Sequence, residues 1–368
     1  MEKSNLTKGL LFLCFVLFFF QSCQNDNDEI GNETLLYDGT PYQIKTGNLE
    51  QPAISSDNKL TVQGVKLGRM LFYEKKLSAT QTQSCASCHR QEHAFTDTAR
   101  FSEGVRGLQG KRNAMAIFNM AWNTNEFFWD GRAHLLRHQS LMPIQDPLEM
   151  DESLANVVNK LKGEKSYQDQ FFRAFGTEEI TPQRISLALE QFMNSIVSVN
   201  SKYDRFENGT AILDSLEERG RYLFFAEFNP SFPSLSGADC AHCHSTRNFE
   251  NDKYLNNGLD SDADMADDGR MKVTNDPNDK GKFKITSLRN IELTAPYMHD
   301  GRFKTLEEVV EHYNSGLKNS STLDPTLIYP LNNGGLQLSS DDKKALIAFL
   351  KTLTDDDLMT NLEYSNPF

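Results

Sequence analysis

The sequence predicts a mainly helical protein of two domains, and three observations carry that reading. Apolar residues recur at helical spacing behind caps: Thr181 as N-cap, Pro182 at the first helical position, then Ile185, Ala188, Leu189, Phe192, Met193 and Ile196 on one face. No stretch of any length alternates apolar and polar residues as a half-buried strand would. One short string, finally, is written twice, 155 residues apart, as Cys85-Ala-Ser-Cys88-His89 and Cys240-Ala-His-Cys243-His244. Similar segments precede the copies, Leu67-Gly-Arg-Met-Leu-Phe72 and Arg219-Gly-Arg-Tyr-Leu-Phe224, each reading as a short helix that feeds a turn. A chain of 368 residues has room for two domains at about 100–200 residues each.

Taken from the N-terminus, residues 1–22 read as a signal peptide of lipoprotein type. Lys3 and Lys8 precede the apolar run Leu10 to Phe20, too short for a hydrocarbon core that needs ~20 residues. Ser22 before Cys23 resembles a bacterial lipobox, which makes Cys23 the expected lipidation site and the exported protein membrane-bound through that anchor alone. Its location is then the periplasm or the cell surface. Residues 23–55, opening on polar and acidic Gln24 to Glu33, are expected to form a flexible tether. The first domain is assigned to 56–210 and the second to 211–368, with the chain end packing back on the first. A second amphipathic helix starts at Ser339 and carries Ala345, Leu346, Phe349, Leu350 and Leu353. A third opens on the capping box Thr305-x-x-Glu308 and runs to Tyr313, with Leu306, Val309, Val310 and Tyr313 on the apolar face and His312 off it. The Asp/Asn/Gly-rich segment 251–282 reads as a solvated loop. Its Asp260-Ser-Asp262-Ala-Asp264 start is not an EF-hand, because Met265 and Met271 stand where Gly and Glu are required.

Net charge is -13, which argues against nucleic acid as a partner, since such domains carry a basic footprint. Of six cysteines, Cys14 leaves with the signal peptide and Cys23 takes the anchor, so the folded body keeps Cys85, Cys88, Cys240 and Cys243. All four lie in C-x-x-C-H strings, the pattern of covalent c-type haem attachment. Two thiols reach the two vinyl groups of a porphyrin, and the adjacent imidazole, His89 or His244, becomes the proximal ligand. Each domain is therefore expected to be cytochrome c-like with one covalent haem c.

The sixth ligand decides whether such an iron carries electrons or reacts. Among eight His, His93 is too near His89 to reach the other face of the same haem, His134 and His138 read as surface residues, and His242 lies inside its own motif. The first haem is thus left with an open iron. For the second, Tyr313 and the thioether of Met298 compete, and Met would raise the reduction potential.

From Gly64 to Asp355 the chain resembles the bacterial dihaem cytochrome c peroxidases and the related MauG-type enzymes. The resemblance rests on Leu67 to His89, Phe128-Trp-Asp-Gly-Arg132, Ile185 to Phe206, Ser287-Leu-Arg-Asn290, and Thr294-Ala-Pro-Tyr-Met-His-Asp-Gly301 through Tyr313. It implies a peroxidase-type oxidoreductase. Trp129 matches the tryptophan lying between the haems, and Gln139 and Glu149 match the distal-pocket pair, the Glu as acid/base for peroxide. Asn113, Thr294 and Pro296 match positions that bind one calcium ion between the domains. Two departures side with the MauG-type enzymes: the loop Phe101 to Lys111 has no His, and Tyr313 stands where the peroxidases that need reductive activation have Met. The resemblance thus implies hydrogen peroxide as substrate and a small donor such as a c-type cytochrome as electron source. The alternative is peroxide-dependent oxidation of residues in a partner protein; a pure electron-transfer cytochrome is the third reading.

Overall fold

The structure, a computed structural model, describes residues 35–368. The expected signal peptide 1–22, the expected lipidation site Cys23 and the start of the expected tether lie outside the described residues. The helices in chain order are α1 Val62–Tyr73, α2 Cys85–Cys88, α3 Leu136–Gln145, α4 Leu154–Lys162, α5 Lys165–Phe175, α6 Pro182–Ser195 and α7 Lys202–Glu207. They continue as α8 Ser215–Phe225, α9 Met271–Thr274, α10 Leu306–Glu311, α11 Pro325–Asn332, α12 Ser340–Lys351 and α13 Asp356–Thr360. Among the described residues sheet is confined to the two-residue strands β1 Tyr254–Leu255 and β2 Phe283–Lys284, paired antiparallel.

Two hydrophobic cores divide Leu35–Phe368, and they are built alike. In the first, α1 crosses α6: Leu67, Leu71 and Phe72 are buried, and Phe72 meets Phe192 edge-on at 5.3 Å between centroids. In the second, α8 crosses α12, with Leu223 and Phe224 buried and Phe224 lying 5.2 Å from Phe349. Each crossing needs one glycine. A Cβ on Gly68 would come within 2.0 Å of the Ala188 carbonyl oxygen, and one on Gly220 within 1.9 Å of that of Ala345. The repeated Gly-Arg segments are therefore the contact points of two equivalent helix pairs. Their caps follow the sequence: Thr61 accepts from Gly64 N, Thr181 from Arg184 N, Ser339 from Asp342 N, and Asp214 closes a capping box with Glu217.

Three expectations change. The tether does not extend to residue 55. From Asp38 onward the chain lies on the first core, with Asp38 N donating to Arg173 O, Tyr42 N to Leu60 O and Trp122 Nε1 to Glu50 O. Apolar Tyr42, Ile44 and Ile54 pack there, at a gain that an extended solvated chain would forgo. The second change is in segment 251–282, which is more than a solvated loop: Asp267 makes a bidentate ion pair with half-buried Arg112, and Arg270 reaches Glu126. The third is the end of α10 at Glu311, where a π-turn His312–Gly316 replaces the last α-helical turn.

The segment after Leu353 returns to the first core. Leu358 and Tyr364 are buried in it, Tyr73 Oη donates to Tyr364 O at 2.7 Å, and Gln91 Nε2 donates to both Leu358 O and Asn361 O. α7 goes the other way, since Tyr203 belongs to the second core.

Candidate active site

α2 carries Cys85 and Cys88, its start fixed by the Ser84/Ser87 capping box; a 3-10 turn, Cys240–His242, carries the second pair. After each motif the chain doubles back through a left-handed phenylalanine, Phe95 at φ 59° and Phe249 at φ 55°. His89 Nδ1 lies 3.0 Å from Phe95 O, and His244 Nδ1 lies 2.8 Å from Phe249 O. A carbonyl only accepts, so Nδ1 carries the proton and the Nε2 lone pair is left for a metal. Burial holds both imidazoles neutral, pulling His244 down to about 4 and His89 below its ordinary value. It also pushes the thiols of Cys85 and Cys240 up to about 12.

Both motifs line one cavity of about 1300 Å³. Its wall includes Trp129, whose indole Nε1 donates to Asn113 O at 2.8 Å and whose carbonyl accepts from Lys284 N on β2 at 2.8 Å. Gln139 on α3 and Glu149 beyond its end line the cavity, and the Glu149 carboxyl is near enough to the first motif to raise the thiols of Cys85 and Cys88. Burial raises the Glu149 carboxyl to about 7; the negative charge of Asp146 adds to this and Arg132 opposes it. Loop 101–111 crosses the Glu149 backbone, with Val105 N donating to Glu149 O at 2.8 Å. A Cβ on Gly104 would stand 2.2 Å from Leu148 O, so only glycine lets the loop come this near. His134 and His138 are exposed and lie outside the cavity lining, as the surface reading expected.

Around the second motif, Tyr313 and Met298 converge. The amide Nδ2 of Asn257 donates to Tyr313 Oη at 3.4 Å and to Met298 Sδ at 3.4 Å, and both side chains line the cavity. Burial raises the Tyr313 phenol to about 12, opposed by the Asn257 hydrogen bond. His312 corrects the helix-face expectation. It is buried, its Nε2 bonding Asn257 O at 3.0 Å, because the π-turn rotates both it and Tyr313 inward. Asn113, Thr294 and Pro296 all line the same cavity, Asn113 N donating to His299 O at 2.8 Å.

A sequence profile described as di-haem cytochrome c peroxidase matches residues 62–211. The methylamine utilization protein MauG of Methylorubrum extorquens is 34% identical over 298 residues, 80% of this chain and 79% of that protein. The cytochrome c551 peroxidase of Nitrosomonas europaea is 33% identical over 293 residues, 79% of this chain and 80% of that one. The chain belongs to the di-haem cytochrome c peroxidase family. A crystal structure of a MauG-like protein associated with microbial copper homeostasis superimposes with a TM-score of 0.78 at 34% identity, covering 87% of this chain and 97% of that one.

As a di-haem peroxidase the protein is an oxidoreductase whose family implies two haem c groups, and its residues fit them. Two pairs of thiols and two imidazoles with free Nε2 face one large cavity. On the wall of that cavity the Nε of Arg289 is buried without a partner, a donor suited to the carboxylates of a porphyrin. Four participants escaped the sequence reading: the carbonyls of Phe95 and Phe249, Arg289 and Asn257. The phenylalanines carried a signal, one falling six residues after His89 and the other five after His244. Asn257 carried none.

Proposed function

We propose that the protein reduces hydrogen peroxide at the haem held by Cys85, Cys88 and His89, with electrons from a small external donor such as a c-type cytochrome. The observation that carries this is Glu149, a carboxyl on the cavity wall held near pH 7 by burial, the value at which one group both takes and gives a proton. Haem, when bound, supplies the iron on which peroxide is reduced. Glu149 as carboxylate accepts the proton from one peroxide oxygen and, as the acid, returns it to the other, so that the O–O bond breaks heterolytically. Two electrons and two protons turn one peroxide into two waters. Gln139, which also lines the cavity, orients peroxide by hydrogen bonding. Trp129, which lines the cavity that both motifs share, relays electrons from the His244 side.

Calcium belongs to the same proposal, taken by the Asn113 side chain and the carbonyls of Thr294 and Pro296, a hard-oxygen set suited to that ion. So do export and the lipid anchor at Cys23, supported by the apolar run Leu10 to Phe20 between Lys8 and Ser22. Among the described residues no helix is long and apolar enough to cross a membrane. Mass spectrometry of the mature N-terminus tests the anchor.

A second reading, oxidation of residues in a partner protein, is favoured by the Tyr313 hydroxyl in the cavity, a harder ligand than the Met298 sulfur. One experiment separates the readings: hydrogen peroxide is added to the purified holoprotein with and without reduced c-type cytochrome, followed by absorption. Rapid donor oxidation supports peroxide reduction; a persistent oxidised haem spectrum without donor turnover supports the second reading; no reaction overturns both.

A further inference from the structure

We propose that Asn257 determines which side chain binds the second haem iron, by holding Tyr313 and Met298 at one point and favouring the tyrosine oxygen. The inference deepens the functional reading above and rests on its assignment of the second haem to His244.

The geometry begins with a shared donor. A thioether can only accept, so the edge of the Asn257 amide that faces Met298 Sδ must be its NH2 group. That group has two hydrogens, and the second goes to Tyr313 Oη at the same 3.4 Å. Oxygen is the far better acceptor, sulfur a weak one. A donor placed on both therefore stabilises the tyrosine oxygen more, and most when that oxygen carries negative charge. Take the donor away and the preference goes with it. Met298 is already close by, held at φ 73°, a left-handed conformation that a methionine keeps only where its surroundings demand it.

Asn257 is fixed for this task from three sides. Its carbonyl takes His312 Nε2 at 3.0 Å, so the π-turn that aims Tyr313 inward also grips the Asn257 backbone. Before it, Asn256 donates to Ser320 Oγ and Thr322 Oγ1 and accepts from Gly258 N and Asp324 N. After it, Gly258 at φ 71° packs under Leu323, and its carbonyl accepts from Lys318 N at 2.8 Å. A backbone so held fixes the point from which the Asn257 side chain reaches both ligands, which is what a selecting group needs.

The test uses the oxidised holoprotein, read by absorption, electron paramagnetic resonance and spectroelectrochemistry. Asn257→Leu removes the donor while the backbone bond to His312 stays. The expected result is a sulfur-to-iron charge-transfer band absent from the wild type and a positive shift of the second haem's potential, both abolished in Asn257→Leu/Met298→Leu. If Asn257→Leu does not fold, Asn257→Asp keeps the shape, withdraws both N–H donors and is expected to lose tyrosine ligation too. Wild-type spectra and potential in the folded variant overturn the proposal. Tyr313→Phe separates the causes: if it alters the low-spin spectrum while the Asn257 variants do not, only the role of Asn257 fails. If it alters nothing, Tyr313 is no ligand and the proposal falls with that assignment.

Discussion

Gly68 in α1 faces the carbonyl oxygen of Ala188 in α6 so closely that a Cβ on it would stand 2.0 Å from that oxygen and 2.7 Å from the Phe192 Cβ. Gly220 repeats the relationship, a Cβ there lying 1.9 Å from Ala345 O and 2.8 Å from the Phe349 Cβ. The obstacle at each oxygen is backbone within a helix, which can yield only if the two helices separate. Gly68→Ala and Gly220→Ala should each destabilise the holoprotein by about 1–3 kcal/mol, the usual cost of overpacking. Gly163→Ala serves as control. Its backbone is in the right-handed helical region and the nearest atom to an added Cβ is 3.4 Å away, so it should be neutral or stabilising by up to about 1 kcal/mol. Denaturant unfolding of the three variants measures the difference.

What the sequence disclosed and what it hid divide along sequence distance. The Gly-Arg repeats, the cap at Thr181, the capping box at Thr305, the amphipathic helix read from Ser339 and the two Cys-His strings are local patterns, and each is found in the structure, Ser339 as the N-cap of its helix. The π-turn is not local. Asn314 Oδ1 accepts from Leu338 N, 24 residues on, Gly335 packs against Asn314 O, and His312 binds Asn257 O, 55 residues back. No periodicity in residues 305–313 encodes those partners, so the helical reading ran on and turned His312 outward. Asp267 was lost for the same reason: its meaning lies in Arg112, 155 residues away.

Glu149 should give the peroxidase reaction an acid limb. Its carboxyl is raised to about 7 by burial and by Asp146, so the base form that takes the peroxide proton is depleted as pH falls through that value. Turnover should therefore drop below about pH 7. Asp146→Asn, which removes a neighbouring negative charge, should move the limb to lower pH; Arg132→Ala, which removes a positive one, should move it higher. Glu149→Gln should lower kcat/KM for peroxide by roughly 10²–10⁴ and abolish the limb. Steady-state rates across pH decide it. A limb that survives in Glu149→Gln belongs to another group.

The pair Arg289 and Asp204 should matter for folding. Arg289 Nη1 and Nη2 donate to Asp204 Oδ2 and Oδ1 at 2.7 and 2.9 Å, and the guanidinium lies over Phe249, whose carbonyl orients His244. Asp204→Asn leaves a buried cation without its counter-charge, at a cost of about 3–5 kcal/mol. Burial alone would raise the Asp204 carboxyl, but Arg289 and the hydroxyl and backbone N–H of Ser201 together outweigh it and hold the group below the ordinary range. A depressed carboxyl stabilises the fold above the unfolded value of about 3.9 and loses that contribution as pH falls through the lower, folded value. Acid unfolding of the wild type should thus contain a component below about pH 4 that Asp204→Asn lacks, measurable by circular dichroism.

Trp129 offers the sharpest separation of electron supply from peroxide chemistry. It touches neither Glu149 nor Gln139 by hydrogen bond; its Nε1 donates to Asn113 O at 2.8 Å, and Asn113 N donates in turn to His299 O at 2.8 Å, three residues beyond Pro296. The indole is thus tied to the segment that contributes Thr294 and Pro296, the proposed calcium ligands. Two perturbations should then converge. Trp129→Phe keeps an aromatic ring but removes the N–H and gives a ring harder to oxidise, so donor-supported turnover should fall about tenfold or more, a barrier increase near 1.4 kcal/mol. Chelation of calcium should slow the same step by loosening Asn113, and readdition should restore it. In both cases the first reaction of peroxide with oxidised holoprotein, seen by stopped-flow absorption before any donor is added, should keep its rate. A matching loss in that first phase would mean that Trp129 shapes the peroxide pocket itself, and the relay assignment would have to be given up.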